Sequence, residues 1–369
     1  MELGPCRVAE NGTNTFLNPY SWTEHANIIF LDQPVGVGFS YSDHNSTIET
    51  SPVAGQDVYA FLQLFLERHP KYATLPFHIA AESYGGTYAP HFASIIHRKN
   101  KELPEEDDRI SSGLRKINLA SVILANGFTS PYLQLGATPE YACNGPYPLF
   151  EDPDGAECES LRNVTASCQA LIKRCYEDSR DACSSASVQC WTDLLKPIAD
   201  LGLNPNDVRK QCEPETNGEE CYKEILWIDE WMLDTRNRVA LGVDADRVFE
   251  RCSGEVLERF LLSGDCMHNT ALLLPELIEG GIRLLVYNGN ADFLCHYMGS
   301  EHWMNALEHP FHDEFVHSQA KPWVLANGQV AGEFRSAGGE HERAGNVSFV
   351  TVYDAGCVLH FLLLHTFTC

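Results

Sequence analysis

The run Phe77-His-Ile-Ala-Ala-Glu-Ser-Tyr-Gly-Gly-Thr-Tyr-Ala-Pro90 constrains this chain more than any other stretch. Its first five residues read as a short buried strand, and Tyr88 to His97 reads as a helix. A turn that tight brings the strand and helix backbones almost into contact, so small residues are needed around Ser83. It also forces Ser83 into a strained conformation and lifts its hydroxyl above the end of a sheet. The bland alternative, a serine in an ordinary strand–helix turn, does not account for the flanking strand, helix and glycines together. The first small position is Ala81, where a glycine is usual, and a methyl-sized side chain can plausibly serve there.

The rest of the chain repeats the alternation. Ala26–Leu31, Ile117–Leu124 and Ile282–Tyr287 are apolar runs predicted as buried strands. Val53 to His69 carries Val58, Phe61, Leu62 and Phe65 at helical spacing, with Pro70 as a stop, and a further helix is predicted near Ala271–Ile278. Strands alternating with helices predict an α/β fold, a mostly parallel sheet with helices on both faces. From about Pro131 to Gly264 that alternation fades and cysteines, prolines and acidic residues crowd together. The chain therefore divides into a core of residues 1–130 and 265–369 and an inserted cap of residues 131–264. Glu105-Glu-Asp-Asp108 reads as a solvated loop, and no internal repeat or long low-complexity linker is visible.

Charge narrows the function. The 369 residues hold 51 Asp plus Glu against 26 Lys plus Arg, a formal charge of −25. Such a field repels phosphate backbones and anionic lipid, so nucleic-acid and membrane-surface partners are disfavoured. The most apolar stretch, Cys357 to His365, is far short of the roughly 18–20 residues that span a bilayer.

Of fourteen cysteines, eight fall between Cys143 and Cys221, and no C-x-x-C occurs. That argues against zinc ribbons and for a disulfide-stapled segment made in an oxidising compartment. The sequons at Asn11, Asn45, Asn163 and Asn346 agree with passage through the secretory pathway. Met1-Glu-Leu-Gly-Pro-Cys6 is no secretory leader, so the amino end is expected to be incomplete.

A serine hydroxyl needs a base oriented by a carboxylate. In a fold of this kind the chain order is Ser, Asp, His. Asp292 closes the loop Asn288-Gly-Asn-Ala-Asp292 directly after the strand Ile282–Tyr287, although an Asp there is also a common turn former. The backbone N–H of Tyr84, at the start of the helix, is placed to meet a developing oxyanion.

With Asp32-Gln-Pro-Val-Gly-Val-Gly-Phe-Ser-Tyr-Ser42, Glu82-Ser-Tyr-Gly-Gly86, Tyr287-Asn-Gly-Asn-Ala-Asp-Phe-Leu-Cys295 and Val352-Tyr-Asp-Ala-Gly356, the chain resembles the serine carboxypeptidases of the carboxypeptidase Y type. The resemblance implies an α/β-hydrolase fold and an acid-active exopeptidase acting on peptide or protein C-termini, without cofactor or metal. It implies Ser83 as nucleophile, Asp292 as the triad acid, and Cys295 as a free, partly buried thiol beside the pocket for the residue before the scissile bond. Glu2 and Glu82 match an acidic pair that holds the substrate's terminal carboxylate; two adjacent carboxyls share a proton, and binding weakens as pH rises through their titration. It implies the pairs Cys143–Cys158, Cys168–Cys190, Cys175–Cys183 and Cys212–Cys221, and for Cys252 a partner upstream of residue 1.

Two departures qualify this. The chain begins after the place where the resemblance puts a Trp-Leu-Asn-Gly-Gly-Pro-Gly-Cys-Ser-Ser segment, the source of the second oxyanion N–H, and it lacks strands that should precede it. Where a histidine should follow Gly356 the chain has Cys357, with His360 and His365 three and eight residues late. An impaired enzyme is therefore expected. The alternatives are a peptide-binding homologue without acyl transfer and an acyltransferase or lyase on the same scaffold, the last opposed by the acidic pair.

Overall fold

The computed structural model describes residues 3–44, 46–103, 113–177, 180–218, 221–244, 246–339 and 345–357. Glu2, Asn45, the acidic run 105–108, His360 and His365 lie outside them. The described residues form ten strands: β1 (Cys6–Val8), β2 (Thr15–Leu17), β3 (Phe77–Glu82), β4 (Leu119–Ala125), β5 (Leu203–Asn204), β6 (Asp207–Gln211), β7 (Arg283–Gly289), β8 (Lys321–Val324), β9 (Val330–Ala337) and β10 (Val347–Val352). Six of them build the central sheet in the order β3-β4-β7-β10-β9-β8. Neighbours from β3 to β10 run parallel, and β9 and β8 add an antiparallel edge. The remaining strands form two short ribbons, β1-β2 and β5-β6.

The apolar runs predicted from sequence account for β3, β4 and β7. Their alternate side chains enter a core in which Val122, Leu124, Leu284, Val286, Val347 and Phe349 meet Ala89 and Ala93 of the following helix, together with Trp303 and Met304. Helices α1 (Ser51–Arg68) and α2 (Gly85–Glu102) pack on each other through Tyr59, Leu62, Leu66, Ile95 and Ile96. The helix α1 ends at His69, just before Pro70, which cannot continue the hydrogen-bond ladder. Near Ala271–Ile278 the chain forms a 3₁₀ turn over Thr270–Leu273 followed by a short helix over Leu274–Glu279.

One predicted strand is absent. Ala26–Leu31 joins no sheet among the described residues, and Ile29, Phe30 and Leu31 are exposed, Phe30 by 59%. An apolar run becomes a strand only where another strand takes its backbone groups; among the described residues β3 pairs with β4 alone, and Ala26–Leu31 does not join its open edge. The chain instead folds back beyond Leu31, where the Phe39 N–H donates to Asp32 at 2.9 Å and the Ser40 hydroxyl donates to the Asp32 carbonyl at 2.6 Å.

Residues 131–264 are more regular than their composition suggests. Two 21-residue helices, Ala156–Tyr176 and Arg180–Asp200, form a hairpin crosslinked by Cys168–Cys190 and Cys175–Cys183. Cys143–Cys158 ties its base to the helix Thr138–Asn144, and Cys212–Cys221 closes the loop after β6. Each bridge removes roughly 2–4 kcal/mol of freedom from the unfolded chain. The hairpin shares one apolar cluster with Phe128, Phe293 and Cys295, residues of the loops that follow β4 and β7. The hairpin is thus packed against the carboxyl ends of the strands, where ligands of parallel sheets bind.

Candidate active site

Ser83 stands between β3 and α2 with φ at +56°, a left-handed value that is costly for a residue with a side chain. The surroundings hold it there. Its N–H donates to the Ala125 carbonyl at 3.1 Å, and its own carbonyl accepts from Gly86 and Phe128 at 2.9 Å each. Glycine is required beside it: a Cβ on Gly86 would lie 2.4 Å from the Phe128 nitrogen and 2.7 Å from the Gly127 Cα. A Cβ on Gly85 would lie 2.6 Å from that of Ala81. That contact explains how an alanine stands where a glycine is usual, because the residue facing it has no side chain. Among the described residues no acceptor takes the Tyr84 backbone N–H, which points from the first turn of α2.

Asp292 is fully buried beyond the end of β7. One carboxylate oxygen accepts from the Leu294 N–H at 3.0 Å; the other accepts from the Asn126 amide at 2.8 Å and the Cys295 N–H at 3.3 Å. Burial raises its pKa to about 7, and the three donors oppose that rise. Asn126, a residue that motif reading missed, sits at the end of β4 with φ at +39°. Its amide also returns to the main chain of β7, where Gly289 N–H donates to its side-chain oxygen at 2.9 Å. The three-residue step from Ala125 to Phe128 therefore holds Ser83 by the backbone and Asp292 by a side chain.

Cys295 is 2% exposed, more enclosed than the partly buried thiol expected, and belongs to the apolar cluster that includes Tyr141 and Phe293. Burial pushes its thiol well up, and the carboxylates of Asp292 and Glu82 add to the effect. Glu82 is half-buried. The Cys357 thiol lies 4.0 Å from its Oε1, so the loop after β10 reaches the residue before the serine. That loop is tightly held: Cys357 N–H donates to the Asn206 carbonyl at 2.7 Å, and Ala291 N–H donates to the Ala355 carbonyl at 2.8 Å.

Ser83, Tyr84, Glu82, Asp292, Cys295 and Cys357 thus gather at the carboxyl ends of β3, β7 and β10. No imidazole bonds to Asp292 among the described residues. His296, four residues on, is occupied elsewhere: its Nδ1 accepts the Gly299 N–H at 3.1 Å, its ring stacks on Tyr141, and burial lowers its pKa to about 3. Of the sequons, Asn11 and Asn163 are exposed, and Asn346 is half-buried at the start of β10.

A serine on a strained strand–helix turn and a buried carboxylate after a later strand, both at one end of a mostly parallel sheet, are the layout of an α/β-hydrolase fold. The serine carboxypeptidase family matches residues 1–361, and the chain belongs to that family. It is 38% identical to carboxypeptidase Y of Komagataella phaffii and 37% identical to carboxypeptidase Y homolog A of Arthroderma otae. Each comparison covers 96% of this chain and 62% of the relative, so the chain spans about three-fifths of their length. Among solved structures it superposes on Kex1(delta)p, a prohormone-processing carboxypeptidase from Saccharomyces cerevisiae. That match has a TM-score of 0.78 and 22% identity, and covers 97% of this chain and 75% of the other. The α/β-hydrolase fold stands on that likeness as well as on the sheet.

Proposed function

We propose that the chain carries the machinery of a serine carboxypeptidase, which releases residues one at a time from peptide C-termini through an acyl-enzyme on Ser83. The observation that supports this best is the elbow: a hydroxyl on a left-handed residue, with the unused N–H of Tyr84 beside it. In this reading the Ser83 hydroxyl gives its proton to a base and its oxygen attacks the last peptide carbonyl; the Tyr84 N–H stabilises the oxyanion, the C–N bond breaks as the base returns that proton to the departing amino acid, and water then hydrolyses the ester. Glu82, the described member of the expected acidic pair, holds the terminal carboxylate. Asp292 orients the base, and Cys295 backs the pocket for the residue before the scissile bond. Residues 131–264 act as a cap over the site. The four disulfides support synthesis in an oxidising compartment, hence the secretory pathway and a vacuolar, lysosomal or extracellular destination. Asn11 and Asn163 are exposed enough to carry glycans.

Cys357 occupies the base's position, so turnover by the chain as written falls by about 10⁴-fold or more. The same cysteine favours a second reading, a homologue that binds peptides and transfers no acyl group. A fluorophosphonate probe and a blocked dipeptide with a free C-terminus separate the two. Cys357→His is expected to label at least about a thousandfold faster than the parent, and Ser83→Ala not at all. A folded Cys357→His protein that neither labels nor cleaves, yet binds the dipeptide, decides for the binding reading. Equal binding of the dipeptide and its C-terminal amide removes the carboxylate-holding role of Glu82.

A further inference from the structure

Asp265 is 3% exposed and lies 182 positions beyond the serine in sequence, yet its carboxyl reaches the elbow. Its Oδ2 accepts from the Tyr84 hydroxyl at 2.9 Å and from the Ser51 hydroxyl at 2.5 Å, and its Oδ1 accepts from the Ser51 N–H at 2.8 Å. Ser51 opens α1, so one side chain joins the first turn of α1 to the residue that offers the oxyanion N–H. The N–H of Ser51 has no partner inside the helix, and a carboxyl there also meets the positive end of the helix dipole.

The support behind Asp265 is equally specific. It follows Gly264, whose φ is +70° and whose Cα lies so close to Cys183 that a Cβ would fall 2.5 Å from that residue's Cβ. The loop is therefore wedged against the Cys175–Cys183 bridge. The Asp265 N–H donates to the Ser263 hydroxyl at 3.3 Å, and that hydroxyl donates to the Glu49 carbonyl at 2.7 Å. The Tyr84 ring meets Phe260 edge-on and leans on Tyr88, so its hydroxyl is steered toward Asp265 from the ring side as well. Each of the three donors facing the Asp265 carboxyl needs an acceptor oxygen there. An asparagine would turn one acceptor oxygen into an NH₂ group facing hydroxyl or N–H groups.

We infer that Asp265 is a positioning residue for the proposed reaction: by holding the Tyr84 hydroxyl and the start of α1 together, it fixes the direction of the Tyr84 peptide N–H beside Ser83. The inference rests on the acyl-transfer reading for its purpose and on the hydrogen bonds alone for its geometry, and two measurements keep these apart.

The first is amide hydrogen exchange on the full chain. In Asp265→Asn, exchange should rise about tenfold in peptides covering residues 46–55 and 82–92, with β7 unchanged. In Tyr84→Phe it should rise in 82–92 and stay unchanged in 46–55. Equal acceleration in β7 would mean general loosening and would overturn the inference, as would an unmoved 82–92 peptide. If Asp265→Asn does not fold, Tyr84→Phe decides alone by the 82–92 peptide. The second is the rate of fluorophosphonate labelling in the Cys357→His background, expected to drop about tenfold in Asp265→Asn, with Asp265→Glu recovering part of it. A background that never labels removes the acyl-transfer reading and leaves the exchange result to judge Asp265.

Discussion

At Ser83 the main chain sets where the hydroxyl-bearing residue stands. Ser83 is held by three backbone hydrogen bonds, and Gly86 lies too close to the main chain of Gly127 and Phe128 to carry a side chain. At Ala355–Cys357 the main chain is held just as firmly, with a Cβ on Gly289 meeting two carbonyl oxygens at 2.3 Å, but the chemistry resides in one side chain. A change of side chain at position 357 therefore leaves the fold in place, whereas a change at position 86 does not. The comparison separates a residue placed by the backbone, Ser83, from one whose contribution is carried by its side chain, Cys357.

Four measurements test that contrast. The largest effect concerns Asp292, which must stay buried for a base to use it. Its folded pKa, about 7, lies above the ordinary 3.8, so the folded protein holds this proton more tightly than the unfolded chain. Stability is then greatest below the ordinary value and falls as pH rises through about 7, by roughly 1.4 kcal/mol per unit. Urea midpoints between pH 4 and 7.5 should show this fall, and Asp292→Asn should remove it. A parent no steeper than Asp292→Asn would mean that the carboxylate is better solvated than its burial implies.

Next in size, Gly86→Ala should cost about 3 kcal/mol, because the methyl meets main-chain atoms that cannot step aside. A loss under about 1 kcal/mol would show that the elbow is looser than described. Asn126→Ala should cost about 2 kcal/mol in urea and leave Asp292 with two donors in place of three. The smallest effect is expected at the other end of the comparison. Cys357→Ser should shift stability by less than about 1 kcal/mol, since Glu82 stands ready as an acceptor. A larger loss there would erase the distinction between the two loops.

The elbow, β4 and β7 were legible in the sequence because a buried parallel strand is a continuous apolar run, readable without its neighbours. Ala26–Leu31 shows the limit of that rule: the same pattern stays outside the sheet where no strand takes its backbone groups. The β8–β9 hairpin was illegible because Lys321–Val324 is largely exposed and Val330–Ala337 breaks its apolar residues with Gly332, Glu333, Arg335 and Ser336, so neither carries such a run. Ser83 and Asp292 could be named from their local context. Asn126 and Asp265 could not, since their partners lie 166 and 181 positions away and nothing adjacent in the chain announces the pairing.

The near-contact of Gly86 with Gly127 carries one more implication. Because two stretches of main chain meet there, the height of residue 83 over the sheet owes nothing to its own side chain. A thiol placed at that position would inherit the same perch, which makes this chain a ready frame for exchanging one attacking atom for another while the architecture around it stands still.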